Sequence, residues 1–218
     1  MYNKTLIFDL DDTLYKEITY LKSAFVEISQ YLSNEIKVDS NLIYDDMLHL
    51  YSQKCEVFSK IIHKYDATQS SEKLLSIYRN HKPKIKLPTA QKYVLDKLKS
   101  IDIPLGLLTD GRSAQQRNKI RALGLERYFK KIVISEEFGS EKPSKENYKV
   151  FQEFFGEGKY VYIGDNTTKD FVTPNNLKWD SICLLDDGFN IHKQDFTLLE
   201  NYLPKYKISN FNDLLNLI

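Results

Sequence analysis

The chain has 218 residues, 42% of them hydrophobic and 28% charged, with a formal net charge of +1. That length suits one globular core with a modest insertion, or two small domains. The balanced charge provides no basic field for nucleic acid or a membrane surface, and no apolar stretch approaches the ~18 residues of a membrane span.

The first element is the most informative. Leu6-Ile7-Phe8 is a short apolar run that ends in Asp9-Leu10-Asp11-Asp12-Thr13-Leu14. A buried strand with that ending sets Asp9 and Asp11 at the carboxyl end of a sheet, where open α/β folds bind their ligands. Two carboxylates one residue apart repel each other, so the site wants a cation, and hard oxygen donors suit Mg²⁺. Asp-x-Asp alone would describe a strand and a solvated acidic turn equally well. The chemistry it offers is specific. A carboxylate is a competent nucleophile towards phosphorus. A second carboxylic acid nearby can protonate a leaving alkoxide and then deprotonate water.

Between Thr13 and Leu87 no strand pattern occurs. Ile18, Leu21, Phe25, Ile28 and Leu32 step by three and four residues, which predicts a helix. Leu42, Ile43, Met47, Leu50 and Tyr51 predict a second, Val57, Phe58, Ile61, Ile62 and Tyr65 a third, and Leu74, Leu75 and Tyr78 a shorter fourth. Tyr15-Lys16-Glu17 and the segment from His81 to Pro88 flank them as linkers, and the two prolines of the exit exclude helix there. A helical module at the mouth of the first strand predicts a cap or lid over residues 16–86. Residues 1–15 and 87–218 then form the core. Tyr15, Lys16 and Lys82 lie on the linkers.

Beyond Leu87, apolar runs alternate with helical segments. The runs are Ile103–Leu108, Lys131–Ile134, Tyr160–Ile163 and Ser181–Leu185, with a short one at Tyr206–Ile208. Helices are expected near Thr89–Ser100, Ala114–Leu123, Lys145–Phe155 and Asn210–Leu217. Runs apolar on both faces suit buried parallel strands, so the fold class is α/β with a doubly wound parallel sheet.

Three further segments carry polar groups, two of them at strand ends. Leu107-Leu108 leads into Thr109-Asp110-Gly111, whose hydroxyl and backbone N–H groups suit phosphate. Lys142 lies just before a helix for which Ser144 is a candidate N-cap. Tyr160-Val161-Tyr162-Ile163 leads into Gly164-Asp165, with Asp170 five residues on, and the glycine permits close backbone approach.

Phe8-Asp9-Leu10-Asp11-Asp12-Thr13-Leu14 resembles the first motif of the haloacid dehalogenase (HAD) superfamily, and the three later segments resemble its other motifs in order. The resemblance spans about residues 4–217 and implies a Rossmann-like core with a C1-type helical cap. It implies Asp9 as nucleophile and Asp11 as acid/base, the latter a residue that dehalogenases generally lack. It implies Thr109, with Asp110 and Gly111, at the phosphate, and Lys142 holding phosphate and nucleophile. It implies Mg²⁺ on Asp9, Asp165 and the backbone carbonyl of Asp11, with Asp170 in the outer shell. The segment after Asp170 departs from the small-residue helix common in the family, because it carries Pro174 and bulky side chains. The interval from Thr109 to Lys142 leaves no room for a large C2-type cap.

The expected activity is Mg²⁺-dependent hydrolysis of a small phosphate ester, a sugar phosphate or a nucleoside monophosphate, through an aspartyl-phosphate. Thr109-Asp110-Gly111 with Gln115-Gln116 resembles the nucleotidase-like branch. The alternatives are a phosphomutase, or a non-catalytic regulatory protein on the same fold. Cys55 and Cys183 read as free thiols, and Met1-Tyr2-Asn3-Lys4 leaves no room for a signal peptide, so the expected location is cytoplasmic. His49, His63, His81 and His192 have no metal-ligand spacing and read as surface or helix residues. Expected partners are the substrate alone, with neither nucleic acid nor membrane, in a monomer or homodimer.

Overall fold

The computed structural model describes residues 4–218. Residues 1–3, on which the argument against a signal peptide rests, lie outside the described residues. Strand β1 (Lys4–Phe8) is followed by four helices, α1 (Glu17–Ile36), α2 (Ser40–Ser52), α3 (Val57–Tyr65) and α4 (Ser71–Asn80). Then come α5 (Thr89–Ser100), β2 (Leu105–Thr109), α6 (Ser113–Ala122), β3 (Lys131–Ile134), α7 (Ser135–Phe138) and α8 (Glu146–Phe155). The chain closes with β4 (Lys159–Gly164), α9 (Val172–Asn176), β5 (Asp180–Leu184) and β6 (Tyr206–Ile208), plus 3₁₀ turns at Glu200–Tyr202 and Phe211–Asn216.

The strands form one sheet of order β3-β2-β1-β4-β5-β6, and every neighbouring pair is parallel. The chain runs outward from β1 through β2 to β3, then returns to place β4 on the other flank of β1. The order therefore reverses beside β1, and a ligand crevice opens at the carboxyl ends there. Leu6 and Phe8 of β1 bury on one face with Leu107 and Ile163, while Ile7 buries on the other with Tyr162 and Phe151. This alternation on two apolar faces is why the strands read as unbroken apolar runs. Gly106 is forced by packing: a Cβ there would meet Ile7 Cδ1 and a Phe151 ring carbon at 2.7 Å.

Helices α1–α4 bury their stripes against one another. Leu21, Phe25, Ile28, Leu32, Ile43, Met47, Ile61 and Leu74 form a cluster separate from both faces of the sheet. Asp39 caps α2 through the Asn41 N–H, and Ser70 caps α4 through the Lys73 N–H. Leu42, expected on the apolar stripe, is exposed, because Ile43 and Met47 face α1 instead.

Local differences from the sequence reading have local causes. β2 starts at Leu105 because Pro104 has no N–H to donate to the ladder; only its carbonyl serves, accepting from Leu6 N at 3.0 Å. The C-terminal helix is a 3₁₀ turn, started by Asn210, whose side chain accepts from Asn212 N. Ser144 does not cap α8, since its hydroxyl donates to Glu146 at 2.8 Å and Lys145 is the capping residue. Pro174 sits in the first turn of α9, where its missing N–H does no harm.

Candidate active site

The crevice gathers its side chains from the carboxyl ends of β1, β2 and β4. Asp9 directly follows β1, and its N–H donates to Ile163 O at 2.8 Å, so its backbone is fixed between β1 and β4. Asp165 directly follows β4. Asp9, Asp165 and Asp170 each place a carboxylate oxygen within 4.8 Å of the others, and all three are buried.

Lys142 joins two of them. Its Nζ donates to Asp9 Oδ1 at 2.6 Å, to Asp170 Oδ1 at 2.7 Å and to the Tyr162 hydroxyl at 3.2 Å. Burial disfavours the ammonium, but Asp170 and Asp9 outweigh it and hold Lys142 well above the ordinary lysine range. Asp170 also accepts the N–H groups of Asp165 and Asn166 at 3.1 and 2.9 Å. It fits there because residue 164 is glycine. A Cβ at Gly164 would stand 2.5 Å from Asp170 Oδ2. Lys142 engages Oδ1 of Asp9, and among the described residues no donor engages Oδ2.

The cluster is short of positive charge. Burial, with Asp170 and Asp11 adding to it, raises Asp9 to about 7 despite Lys142. Burial, then Asp170 and Asp9, raises Asp165 to about 9. Asp165 accepts from Asn190 Nδ2 at 2.9 Å and Thr13 Oγ1 at 3.4 Å, both neutral donors. Buried carboxylate oxygens with no His or Cys among them form a hard-donor set, and Mg²⁺ fits it.

Asp11 points elsewhere. Its carboxylate accepts from the Tyr15 hydroxyl at 2.5 Å, Lys119 Nζ at 2.7 Å and Gln116 Nε2 at 2.8 Å. Burial pushes it up, but Lys119, Tyr15 and Gln116 prevail and hold it below the usual carboxylate range. Lys119 is 1% exposed, lies over the Tyr20 ring, and also meets Glu17 at 3.3 Å. Glu17 is the first residue of α1, and burial, then Asp11, raises it to about 7. Asp12 ties the entry to the helical bundle: it accepts from Glu17 N and Ile191 N, both at 2.8 Å.

A cavity of about 130 Å³ opens among Asp9, Asp11, Glu17, Thr109, Lys142 and Asp165. A larger groove, about 290 Å³, lies on the outer face of the bundle beside Lys22, Glu27 and Lys82 and contains none of these carboxylates.

The sequence pattern of the haloacid dehalogenase-like hydrolases matches residues 6–183, most of the chain. The chain belongs to that family. It is 25% identical to a glyceraldehyde 3-phosphate phosphatase of Methanocaldococcus jannaschii, over 99% of this chain and 96% of the relative. It is 27% identical to the pyrimidine 5'-nucleotidase PynA of Streptococcus pneumoniae, over 99% and 95%. The solved structure of the HAD hydrolase YfnB from Bacillus subtilis, bound to magnesium, superposes with a TM-score of 0.71. It shares 21% identity with this chain and covers 100% of it and 99% of YfnB. Within the family the chain is a phosphomonoester hydrolase.

The HAD positions expected from the sequence do not all serve the same part of the crevice. Asp9, Thr109, Lys142, Asp165 and Asp170 converge. The Asp11 carboxylate stands apart from the Asp9–Asp165–Asp170 cluster, held by Gln116 and Lys119 of α6. The Asp110 carboxylate is taken up by Lys169 Nζ at 2.7 Å and by Lys142 N at 3.0 Å. The Gly111 N–H donates to Ser135 Oγ at 2.9 Å, and Gly111 lines a different cleft. Of the linker residues, Tyr15 binds Asp11, Lys16 binds Asp187 and Asn190 at 2.8 and 2.7 Å, and Lys82 is exposed. His81 is neither a surface nor a mid-helix residue. It caps α4, buried against Tyr20.

Sequence reasoning missed Glu17, Lys119, Asn190 and the side-chain role of Gln116. One signal existed for two of them: Gln116 and Lys119 stand three apart on the same face as the buried Ile120, a polar interruption of an inward stripe. Asn190 offered none, because it reaches Asp165 from a loop 25 residues on.

Proposed function

We propose that this protein is a Mg²⁺-dependent phosphatase that hydrolyses a small phosphorylated metabolite through an aspartyl-phosphate on Asp9. The observation that carries this reading is the buried Lys142 bridge between Asp9 and Asp170. It fixes one oxygen of Asp9 and leaves the other pointing free for attack on phosphorus. Asp9, Asp165 and the backbone carbonyl of Asp11 would hold the ion, with Asp170 behind them. When bound, Mg²⁺ supplies positive charge against the phosphoryl oxygens.

The chain's own residues do the rest. Asp9 Oδ2 forms the new P–O bond as the ester P–O bond breaks, and Asp11 gives its proton to the leaving oxygen. In the second half, Asp11 takes a proton from the water that releases phosphate from Asp9. Lys142 holds Asp9 in line and offsets charge on the transferring group. Thr109 is placed for a phosphoryl oxygen: its hydroxyl accepts from Gln116 at 2.6 Å and keeps its own proton free to donate. The carboxylate form of Asp11, favoured by Lys119, suits the second half-reaction. Protonation for the first half requires that contact to loosen.

Residues 16–86 act as a cap in this reading, hinged at the Tyr15–Glu17 and His81–Pro88 linkers. The bundle carries its own apolar core and meets the rest of the chain through Tyr20, Tyr78 and Ile85, which pack against the core of the sheet, and through polar ties such as Asn118 Nδ2 to His81 O at 3.1 Å. The names of the relatives favour a sugar or triose phosphate, or a nucleoside monophosphate, as substrate. Two unpaired cysteines support a cytoplasmic enzyme. The test is phosphate release from acetyl phosphate and a panel of such esters, with Mg²⁺ and with chelator. Absence of turnover on every ester with Mg²⁺ present defeats the proposal.

A further inference from the structure

We propose that Glu17 makes the site select esters whose leaving group is neutral and hydroxylated, and reject those carrying a second anion. The inference rests on the phosphatase reading and deepens it.

Glu17 belongs to the leaving-group side. In the proposed mechanism Asp11 addresses the leaving oxygen, and Lys119 Nζ links Asp11 Oδ1 at 2.7 Å to Glu17 Oε1 at 3.3 Å. Asp9, Lys142 and Thr109, which address the phosphoryl group in that mechanism, line the same cavity and make no contact with Glu17. Lys119 is 1% exposed and packed over the Tyr20 ring, so a substrate does not reach it; the Glu17 side chain is 19% exposed and lines the cavity. Beside Asp11 the cavity wall therefore presents a carboxylate and not the ammonium behind it. An ionised carboxylate only accepts hydrogen bonds, so it rewards O–H donors.

Charge points the same way. Asp9, Asp11, Asp12, Glu17, Asp110 and Asp165 line the cavity against Lys142 and Lys169, with His192 at the exposed rim. Both lysines are already paired, Lys142 with Asp9 and Asp170 and Lys169 with Asp110. Lys119 serves two carboxylates at once, leaving that trio negative. A dication and a phosphoryl dianion cancel each other, so their arrival leaves the wall acidic. A carboxylate or second phosphate on the leaving group would lose its water and, among the described residues that line the cavity, find no unpaired lysine or arginine.

The test uses the full-length protein with Mg²⁺ at about pH 8, roughly one unit above the value to which burial raises Glu17. Glycerol 3-phosphate and 3-phosphoglycerate share a three-carbon chain and a phosphate ester, and differ in a terminal CH₂OH or carboxylate. Wild-type kcat/KM should favour glycerol 3-phosphate by more than about tenfold, and Glu17→Gln should reduce that ratio by about tenfold, a size typical of discrimination by one polar contact. Losses common to both esters cancel in the ratio. If both turn over too slowly to rank, their inhibition constants against acetyl phosphate hydrolysis report the same preference at the level of binding. A wild-type ratio near one or inverted, or an unchanged ratio in a folded Glu17→Gln, overturns the assignment. The wild-type ratio decides alone if the variant does not fold. Turnover of acetyl phosphate without preference within the pair overturns Glu17 only, whereas no turnover of any ester overturns the phosphatase reading as well.

Discussion

Replacing Lys142 with methionine isolates what the central ammonium contributes. The side chain is 2% exposed and binds Asp9 at 2.6 Å and Asp170 at 2.7 Å, carboxylates that are themselves 8% and 0% exposed. Methionine fills similar volume but strands two buried acids. Breaking a buried ion pair from one side costs about 3–5 kcal/mol, a large part of the 5–15 kcal/mol that holds a typical domain together. For a chain of this size that is a fall in Tm of about 6–20 °C. The loss should depend on pH, and its sign follows from Asp9. Burial raises Asp9 to about 7 even with Lys142 present, and removing the ammonium raises it further. A carboxyl whose folded pKa exceeds its unfolded one binds more protons when folded, so its stabilisation is present at low pH and lost as pH rises towards the folded value. Lys142→Met should therefore melt closer to wild type at about pH 5 than at about pH 8. Thermal melts followed by circular dichroism in chelator check this at both values. With Mg²⁺, kcat/KM should fall by about 10²–10³-fold, the worth of one group aimed at developing charge. A variant as stable as wild type at the higher pH, with activity within tenfold, would refute the bridge as the organising contact of the site.

Asp9→Asn should retain the fold and lose phosphate release altogether, since the amide cannot form the acyl phosphate; near wild-type turnover removes Asp9 as nucleophile. Asp11→Asn should lower kcat by about 10²–10⁴-fold on an alkyl phosphate, and a loss of only a few fold would take the acid/base role from it. Chelation should abolish activity and Mg²⁺ restore it, with Ca²⁺ a poor substitute because its looser coordination misplaces the reacting atoms. Burial raises Asp165 to about 9 and Asp9 to about 7 in the ion-free protein, so a dication displaces protons and should bind more tightly at about pH 8 than at about pH 6. Calorimetric titration reads this directly, and pH-independent affinity would exclude these two as the ligands. Gly164→Ala should displace Asp170 and cost about 1–3 kcal/mol together with activity, and an alanine variant equal to wild type in both would mean that the close approach is dispensable.

The strands and the four motifs were legible because each rests on a short contiguous signal. Leu6-Ile7-Phe8 alternates across two apolar faces and then meets Asp9, and Tyr160–Ile163 does the same before Gly164-Asp165. Helices α1–α4 were legible from spacing alone. The environment of Asp11 was not. Tyr15 is four residues away, but Gln116 and Lys119 come from a helix over a hundred residues later. Periodicity reports which face of a helix is buried and says nothing about the partner it is buried against. Asp110 and Gly111 mark a second limit. A Thr-Asp-Gly after an apolar run offers several phosphate donors on paper. Only the packed structure shows that Lys169 and Ser135 take up the carboxylate and the glycine N–H.

The positions that break local rules are also those around the crevice. A glycine ends β4 where a β-branched residue would pack better, and it does so to admit Asp170 against the backbone. Helix α6 turns a glutamine and a lysine inward, and both reach Asp11. Three buried carboxylates cluster around one ammonium, which bridges two of them, where a stable core would hold none. Each departure weakens the fold taken alone, and each brings a carboxylate to the one place where the strand order reverses. The helical bundle enters at the same point, since Glu17 opens α1 only six residues beyond Asp11. Any displacement of the bundle must therefore shift the Glu17–Lys119–Asp11 chain. In the proposed cap reading, that coupling would give a hinge motion direct leverage on the residue proposed to carry the proton, without a separate signalling element.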